Sequence, residues 1–506
     1  MASTDKTRKR SVKQHNFNLK KSSFPQFSRL NSGFPFCLKR KTHIQIVAAE
    51  VGNLGLFTVG FCFSLSSYAI PQLLVGEGGG IQLDDEECSW FASSHVLGCV
   101  IGSVIGGGYL VERIGSRKSL MVDCLGYIIG SLLVSLTNSL PLILLGRIIT
   151  GYSTGSNYVS VPVFVGEISH PSIRGFTGSL FIINHNIGFT LSMILGASLP
   201  WRTVVLISMI PPSLSFCLLL FIKDSPSWLL RRRNESGAKQ ALMFYSDTKP
   251  ETWLEAVKGK ENGESIIMQE KYSIVKSKFY SAKLTGRRAL DSSFLKPFFV
   301  LNLMLTIGIN WGGFAALEYY MHTIVSEVQV PFNTYWIGVI ITAYGALVPV
   351  LLSLALDKLR RRPLYLFSGS LVAAALAIQA GYAWCSPYIN PEIKTATNWI
   401  PFLAILLQCT GYGLGYGVIV FNLQGEILPS DMRSFGSGLL GIFDNISLFI
   451  ALKTVPLMID SIGVGGMFST YFGFVILTLI TAYFIMPETK GLSLEEIEDM
   501  YQPKKK

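Results

Sequence analysis

The stretch that decides the fold occurs twice: Gly166-Glu167-Ile168-Ser169-His170-Pro171-Ser172-Ile173-Arg174 and Gly425-Glu426-Ile427-Leu428-Pro429-Ser430-Asp431-Met432-Arg433. In both copies a Glu ends a long apolar run, a Pro follows it, and an Arg lies seven residues after the Glu. A helix C-terminus tolerates Pro just beyond it and favours a nearby cation, because its last carbonyls are unsatisfied. Each copy therefore predicts an apolar helix that ends at an acid, followed by a loop that carries a base.

Two further pairs of signatures flank this one. Glu112-Arg113-Ile114-Gly115-Ser116-Arg117-Lys118 corresponds to Asp357-Lys358-Leu359-Arg360-Arg361-Arg362. Asp224-Ser225-Pro226-Ser227-Trp228 corresponds to Pro487-Glu488-Thr489-Lys490-Gly491. All three signatures recur in the same order at an offset of about 250 residues, and such a repeat determines the architecture. The chain is therefore predicted to be a duplicated protein.

The composition indicates a membrane protein. Of the 506 residues, 49% are hydrophobic and only 15% are charged, whereas about 25% charged residues is usual in soluble proteins. Lipid cannot satisfy open backbone groups, so each apolar run must form a closed helix. We expect an all-α membrane protein with twelve transmembrane helices in two pseudo-symmetric six-helix bundles. The predicted helices cover roughly 45–74, 90–111, 118–138, 142–166, 175–197, 202–222, 297–324, 333–356, 363–385, 399–424, 436–460 and 464–486.

The distribution of charge divides the chain and orients it. We expect a basic tail at 1–44, helical bundles at 45–222 and 297–486, a hydrophilic linker at 223–296 and a second tail at 487–506. The segments rich in Lys and Arg all fall on one side if twelve helices alternate across the membrane. The positive-inside rule then puts both termini and the linker in the cytoplasm. The expected location is the plasma membrane.

The N-terminal tail carries a strong positive charge, with eleven Lys or Arg residues against one acid in residues 1–43. This tail is either a solvated arm or a segment that contacts anionic lipids of the cytoplasmic leaflet. Nucleic acid is not an expected partner, because the rest of the chain is a membrane domain. No cofactor and no metal site are predicted, since no motif or ligand cluster indicates one, and a monomer is expected.

A set of motifs resembles the sugar porter branch of the major facilitator superfamily over nearly all of residues 45–500. Closer details, such as Asn186-Ile187-Gly188 and Lys453, are similar to the insect facilitated trehalose transporter-like group. The resemblance implies two six-helix bundles, a central substrate site and alternating access. The motifs are Gly108-x3-Glu112-Arg113-x-Gly115-x-Arg117-Lys118, Gly146-Arg147, Gly166-Glu167-Ile168-x-x-Pro171-x-x-Arg174-Gly175, Asp357-Lys358-x3-Arg362-Pro363, Gly425-Glu426-Ile427-x-Pro429-x3-Arg433 and Pro487-Glu488-Thr489-Lys490-Gly491.

The charged residues of the repeated signatures are expected to form a cytoplasmic gate. Such a network would brace the inner gate while the protein faces outward and would break when it faces inward. Surface ion pairs contribute only ~0–1 kcal/mol each, so several are needed. The alternative is that these are static charges at helix ends. The predicted gate residues are Glu112, Arg113, Arg117, Glu167, Arg174, Asp357, Arg361, Arg362, Glu426 and Arg433.

The substrate pocket that the resemblance implies is altered in this chain. Gly308, Ile309 and Phe314 stand where the family has a Gln-Gln…Asn pattern, and 417–421 replaces a Gly-Pro-x-Pro-Trp stretch. A site built for hydroxyls loses affinity when donors and acceptors vanish, so the specificity is expected to differ. The predicted substrate-binding residues are Asn184, His185, Asn310, Trp311, Phe314, Phe421, Asn422, Asp444 and Asn445.

Ionisable groups at membrane depth indicate function by default, because they are expensive to bury. Asp444 and His185 either face a cavity in a substrate or proton role, or make hydrogen bonds between helices. For Glu318, exposure to water near the outer end of its helix is an equally good explanation. Around Gly60–Leu74, the first helix lacks the acid that proton-coupled sugar porters carry there, which favours facilitated movement. Replacement of that acid by Asp444 or Glu318 is the alternative.

The sequence therefore predicts facilitated transport, by alternating access, of a small polar solute: a sugar (hexose or trehalose-like) or a sugar-like compound. A non-transporting solute sensor derived from such a transporter is one alternative, because the pocket is altered and the basic tail is long. A proton-coupled transporter of a non-sugar solute is another. An enzyme is not predicted, because no nucleophile–base arrangement or metal motif is present.

Overall fold

The computed structural model describes residues 40–76, 81–170, 173–246, 292–327, 333–356, 359–417, 419–420, 423, 427–428, 433–489 and 500. We refer to the described residues up to 246 as the N half and to those from 292 onward as the C half. The N half contains α1 (Arg40–Val75), α2 (Asp85–Ile101), α3 (Val111–Ile114), α4 (Ser116–Leu136), α5 (Leu140–Ile168), α6 (Arg174–Gly196), α7 (Trp201–Ile207), α8 (Ile210–Phe221), α9 (Pro226–Arg231) and α10 (Glu235–Tyr245).

The C half is also helical and contains two breaks that matter for the site. A π-helical stretch continues α11 over Leu303–Asn310, and a second one continues α16 over Tyr412–Tyr416. In the N half, a third such stretch continues α2 over Gly102–Leu110. The helices of the C half are α11 (Ser292–Asn302), α12 (Phe314–Glu327), α13 (Thr334–Leu356), α14 (Arg361–Cys385), α15 (Pro391–Thr397), α16 (Ile400–Gly411) and α17 (Arg433–Ile485).

Helices lie in all the apolar segments that the sequence predicts. The predicted helices 436–460 and 464–486 form one run, α17, broken at Gly463. Eight helices of the described chain are long and apolar enough to cross a membrane. Helix α5 is not one of the eight, and its buried face carries Arg147 together with Ser, Thr and Asn residues. The count of twelve spans and the division into two six-helix bundles stay predictions.

The repeated turn differs between its two copies. Gly115, between α3 and α4, has a φ of 90° that favours glycine. At the corresponding position, Arg360 has φ −73° and ψ 138°, an extended conformation that any residue adopts. Arg360 therefore fits its turn without backbone strain.

Helices α2 and α5 pack with their backbones in close approach. A Cβ atom at Gly151 of α5 would overlap the carbonyl oxygen of His95 in α2. Small residues permit this distance between membrane helices, because no side chain separates the two backbones.

Gly151→Ala is therefore expected to lower the free energy of unfolding by about 1–3 kcal/mol, because the added methyl group forces the two helices apart. The thermal midpoint of the purified protein in detergent measures this effect. Gly381→Ala in α14 is the matched control, since its added Cβ meets no atom within 4 Å. An equal midpoint for both variants would contradict the close packing.

The apolar core of the described residues joins the two halves. We term the end near Arg117 and Glu488 the basic end, and the end near Val75 and Gly463 the opposite end. The largest cluster of buried apolar side chains contains residues of both halves. A second cluster, from Ala48 to Tyr245, is formed by the N half alone.

Candidate functional site

A cavity lies between the two halves, with about 480 Å³ of empty space that includes space open to solvent. Helix α6 forms its N-half wall, and α12, α13 and one residue of α16 form the other wall. Its polar side chains are those of His185, Asn186, Glu318 and Thr342. The complete lining is His185, Asn186, Phe189, Phe314, Leu317, Glu318, Met321, Ile341, Thr342, Gly345, Ala346 and Cys409.

A break in the helix between α11 and α12 shapes this cavity. The chain leaves the helical conformation over residues 311–313, and Gly313 has a φ of 80°. Beyond the break, Phe314 stacks on Tyr412, with ring centroids 3.8 Å apart and planes inclined by 7°. Tyr412 begins the second π-helical stretch of the C half. Helix irregularities of this kind recur at functional sites, where they direct side chains and free backbone groups.

His185 and Phe314 are the two predicted substrate-binding residues that the structure brings together in the cavity. The Nε2 atom of His185 is buried and has no hydrogen-bond partner in the described part of the chain. Unsatisfied buried polar atoms are rare in folded proteins, so this atom is a candidate for contact with a ligand or water.

Asn310 and Trp311 lie beside the cavity in a hydrogen-bonded cluster with α17. The Nδ2 atom of Asn310 donates to the backbone oxygen of Asp444 at 2.9 Å and to its Oδ1 at 3.0 Å. Trp311 Nε1 donates to Ser447 Oγ at 3.1 Å. Asp444 thus makes a hydrogen bond between helices, and its role in binding stays a prediction.

The other predicted substrate-binding residues are not part of the described cavity lining or of the Asn310–Asp444 cluster. Asn184 Nδ2 donates to Leu180 O at 3.0 Å, and Asn445 Nδ2 donates to Gly441 O at 2.7 Å, so each bonds within its own helix. Phe421 and Asn422 lie outside the described residues.

Sequence reasoning omitted Glu318, Asn186 and Thr342 from the predicted site, although all three line the cavity. A signal for Glu318 was available, because it follows Phe314 by four residues and so lies on the same face of α12. Asn186 follows His185 directly. No sequence pattern singles out Thr342.

At the basic end, the repeated signatures contact one another within each half. Arg117 forms an ion pair with Asp224, with Nε and Oδ1 2.7 Å apart. Its Nη1 atom donates to Leu219 O at 3.0 Å and to Ile222 O at 2.6 Å. This arginine therefore satisfies carbonyls at the C-terminus of α8.

In the C half, the acid that corresponds to Asp224 in the repeated signature is Glu488. It accepts from the backbone nitrogens of Arg361 at 3.0 Å and Arg362 at 3.3 Å, at the start of α14. A carboxylate at a helix N-terminus is stabilised by the helix dipole. The second and third signatures are thus in contact in both repeats.

Glu167, from the first signature, has a partner that sequence reasoning did not include. Its Oε1 atom lies 2.7 Å from Nη2 of Arg231 in α9, and its Oε2 atom accepts from Ser116 at 3.4 Å. The backbone oxygens of Glu112 and Arg113 accept from Arg232.

The remaining predicted gate residues are only partly described. Arg174 and Arg433 begin α6 and α17, but the structure does not describe their side chains. Asp357 and Glu426 lie outside the described residues. The charge network that would join the two halves at the basic end therefore stays a prediction.

We expect Arg117→Ala to destabilise the protein more than Asp224→Ala, because Arg117 also serves two carbonyls. Exposed ion pairs contribute about 0.2–1 kcal/mol, and each lost hydrogen bond adds about 0.5–1.5 kcal/mol. Thermal midpoints of both single variants and the double variant measure this difference. Equal losses from the two single variants would contradict the contacts with Leu219 and Ile222.

Arg147 is a fully buried cation within the N half. It donates to Phe91 O at 3.1 Å, Cys62 O at 3.1 Å and Ser66 Oγ at 2.9 Å. It has no ion-pair partner among the residues that the structure describes. Helices α1, α2 and α5 are therefore joined through one guanidinium group.

At the opposite end, the two halves touch directly. Tyr319 Oη of α12 lies 3.4 Å from His95 Nδ1 of α2, and the backbone nitrogen of His322 donates to Ser67 Oγ at 3.3 Å. The rings of Phe63 and Tyr319 are 5.4 Å apart. Between the cavity and the opposite end the halves are thus in contact, whereas the described ion pairs at the basic end stay within one half.

The model of the sugar (and other) transporter family matches residues 38–501. The chain belongs to this family. Family membership and the apolar helices together make it a multi-pass membrane protein.

Relatives in this family include insect facilitated trehalose transporters named Tret1. The Tret1 of Culex quinquefasciatus is 25% identical over 465 residues, which cover 90% of this chain and 86% of that protein. The Tret1 of Apis mellifera ligustica is 26% identical, with coverage of 90% and 88%. The Tret1 of Drosophila willistoni is 25% identical with 90% coverage, but this chain spans only 50% of its length.

Solved structures of the xylose transporter XylE from E. coli show the same fold. Its inward open conformation is 19% identical, with a TM-score of 0.70 and coverage of 90% of this chain and 100% of that chain. XylE bound to 6-bromo-6-deoxy-D-glucose, described as a major facilitator superfamily proton:xylose symporter, gives a TM-score of 0.68 at 19% identity, with coverage of 91% and 100%. The family member described here thus has the major facilitator fold.

Proposed function

We propose that this protein is a facilitated transporter of a sugar or sugar-like solute that works by alternating access in the plasma membrane. Its twelve helices form bundles at 45–222 and 297–486, with both termini and the linker 223–296 in the cytoplasm. The basic end is then the cytoplasmic end. The trehalose transporters among its relatives support a sugar as the solute class.

The observation that carries this proposal is a cavity between the halves with contacts across the halves on one side of it. The pairs His95–Tyr319 and Ser67–His322 join the halves at the opposite end. At the basic end, the ion pairs of Arg117 and Glu167 join residues of the N half only. Contacts on one side of a central cavity fit an inward-facing state, and exchange with an outward-facing state would move a solute across the membrane.

The surroundings of Arg147 favour facilitated transport over proton coupling. Its neighbour on α1 is Ser66, whose hydroxyl accepts a hydrogen bond and does not titrate. In the described part of the chain, no carboxylate pairs with this guanidinium. Transport of the solute down its own gradient therefore does not require protonation of a group beside Arg147.

The test is uptake of labelled trehalose, glucose and xylose into vesicles reconstituted with the purified protein, with and without a pH gradient. We expect saturable uptake of at least one of these sugars that does not require a proton gradient. Uptake only under an inward proton gradient would favour the proton-coupled alternative. Absence of flux in folded protein would favour the sensor.

A variant that fills the cavity makes this test specific. Ala346→Trp introduces an indole into the cavity lining and is expected to abolish uptake while the protein still purifies as a single species. Ile393→Trp adds the same side chain at an exposed position in α15 and is expected to leave uptake unchanged. Uptake by Ala346→Trp at the control rate would contradict the assignment of this cavity as the solute path.

A further inference from the structure

The central cavity contains a carboxylate that no described protein group neutralises. Glu318 lies on α12, one helical turn after Phe314, and contributes to the cavity lining. It has no hydrogen-bond or ion-pair partner among the described residues. The described lining includes no Lys or Arg, and its other polar side chains are those of His185, Asn186 and Thr342.

Two cations described at membrane depth are held elsewhere. The Arg147 guanidinium donates to three acceptors on α1 and α2. The Lys453 ammonium lies over the ring of Trp90, 4.3 Å from its centroid. Neither compensates Glu318. A charge buried from bulk water is costly unless it is paired, so this carboxylate is suited to a counter-charge that arrives from solution.

The surroundings of Glu318 match a small cation with an attached organic body. The rings of Phe314 and Phe189 line the same cavity, and aromatic faces attract ammonium groups. Hydrogen bonds from an ammonium group to a carboxylate are stronger than those between neutral groups. The unpaired Nε2 atom of His185 offers one further polar contact.

We propose that the preferred solute is a sugar or polyol that carries a protonated amino group, with Glu318 as its counter-charge. This inference rests on the proposed transport function and specifies its substrate class. A neutral sugar in the same cavity would leave the carboxylate unpaired. The charge of Glu318 would therefore select the amino compound over the neutral sugar.

The test compares two matched pairs of probes: glucosamine with glucose, and glucamine with sorbitol. In each pair, one hydroxyl is exchanged for an amino group. Binding is read from the thermal stabilisation of purified wild-type protein over a range of probe concentrations at pH 7. We expect the amino compound to bind about tenfold or more tightly than its neutral partner.

Glu318→Gln is expected to abolish the preference for the amino compound over its neutral partner in both pairs. Glu318→Asp keeps the charge and is expected to retain the preference. Glu392→Gln, at an exposed position in α15, is the matched control and should behave as wild type. Equal binding within both pairs by wild-type protein, or an unchanged preference in Glu318→Gln, would overturn the proposal.

This readout does not depend on transport. Sugar uptake without a preference for amines would retain the transporter and reject the role of Glu318. Binding of the amines without any flux would retain the role of Glu318 and reject the transporter.

Discussion

Replacing Arg147 by Ala is expected to lower the free energy of unfolding by about 3–5 kcal/mol and to leave little folded protein. The side chain is 0% exposed and serves three acceptors on two other helices. Each acceptor left unsatisfied costs about 1–3 kcal/mol, against a total stability of roughly 5–15 kcal/mol. Arg147→Lys is expected to be only a partial rescue, because an ammonium group cannot reproduce the planar fork of the guanidinium.

The yield of monodisperse protein after detergent extraction and its thermal midpoint measure this loss. Arg232→Ala is the matched control, since Arg232 also bonds backbone carbonyls but lies exposed at the basic end. We expect it to change stability by less than about 1 kcal/mol. A wild-type midpoint for Arg147→Ala would show that the three hydrogen bonds are not structural.

Tyr319→Ala is expected to shift the protein toward the state that is open at the opposite end. Tyr319 is fully buried and contacts His95 and Phe63 across the two halves. Truncation of a buried aromatic residue costs about 3–5 kcal/mol. The state in which Tyr319 makes these contacts loses the full stabilising free energy, whereas the state without them loses less. A difference of ~1.4 kcal/mol between the two states already shifts the equilibrium between them tenfold.

A Cys reporter at Thr342, in a background without other cysteines, measures this shift. An impermeant thiol reagent is added on the extracellular side, and its rate of reaction with the reporter cysteine is measured. We expect Tyr319→Ala to increase this rate by about tenfold or more. Tyr388→Ala, at a position that is 89% exposed, should leave this rate unchanged. A rate that Tyr319→Ala does not change would mean that these contacts do not close the opposite end.

The helices could be predicted from the sequence, because runs of apolar residues and the need to satisfy the backbone in lipid determine them. The repeated signatures are visible in the sequence, and the structure brings the second and third of them into contact in both halves. The turn at Arg360 could not, because a glycine in one repeat does not require a positive φ in the other. The partner of Glu167 was missed because Arg231 lies outside the repeated signatures.

The site was less predictable than the helices, since it depends on how the helices rotate and break. Phe314 could be placed by counting from the family motif, but the break over residues 311–313 and the stacking of Phe314 on Tyr412 leave no periodic signal. Glu318 faces the cavity because of this local geometry. Polar residues such as Asn184 and Asn445 lie in equally apolar segments of the sequence, yet they form hydrogen bonds within their own helices.

The most direct test of alternating access is the accessibility of the cavity from both sides of the membrane. The reporter Thr342→Cys, in oriented vesicles, is exposed to an impermeant thiol reagent on one side at a time. Alternating access predicts a reaction from the cytoplasmic side and, more slowly, from the extracellular side, with a transported solute changing the ratio of the two rates. Reaction from one side only, with or without solute, would contradict a transporter and favour a protein that binds without moving its ligand.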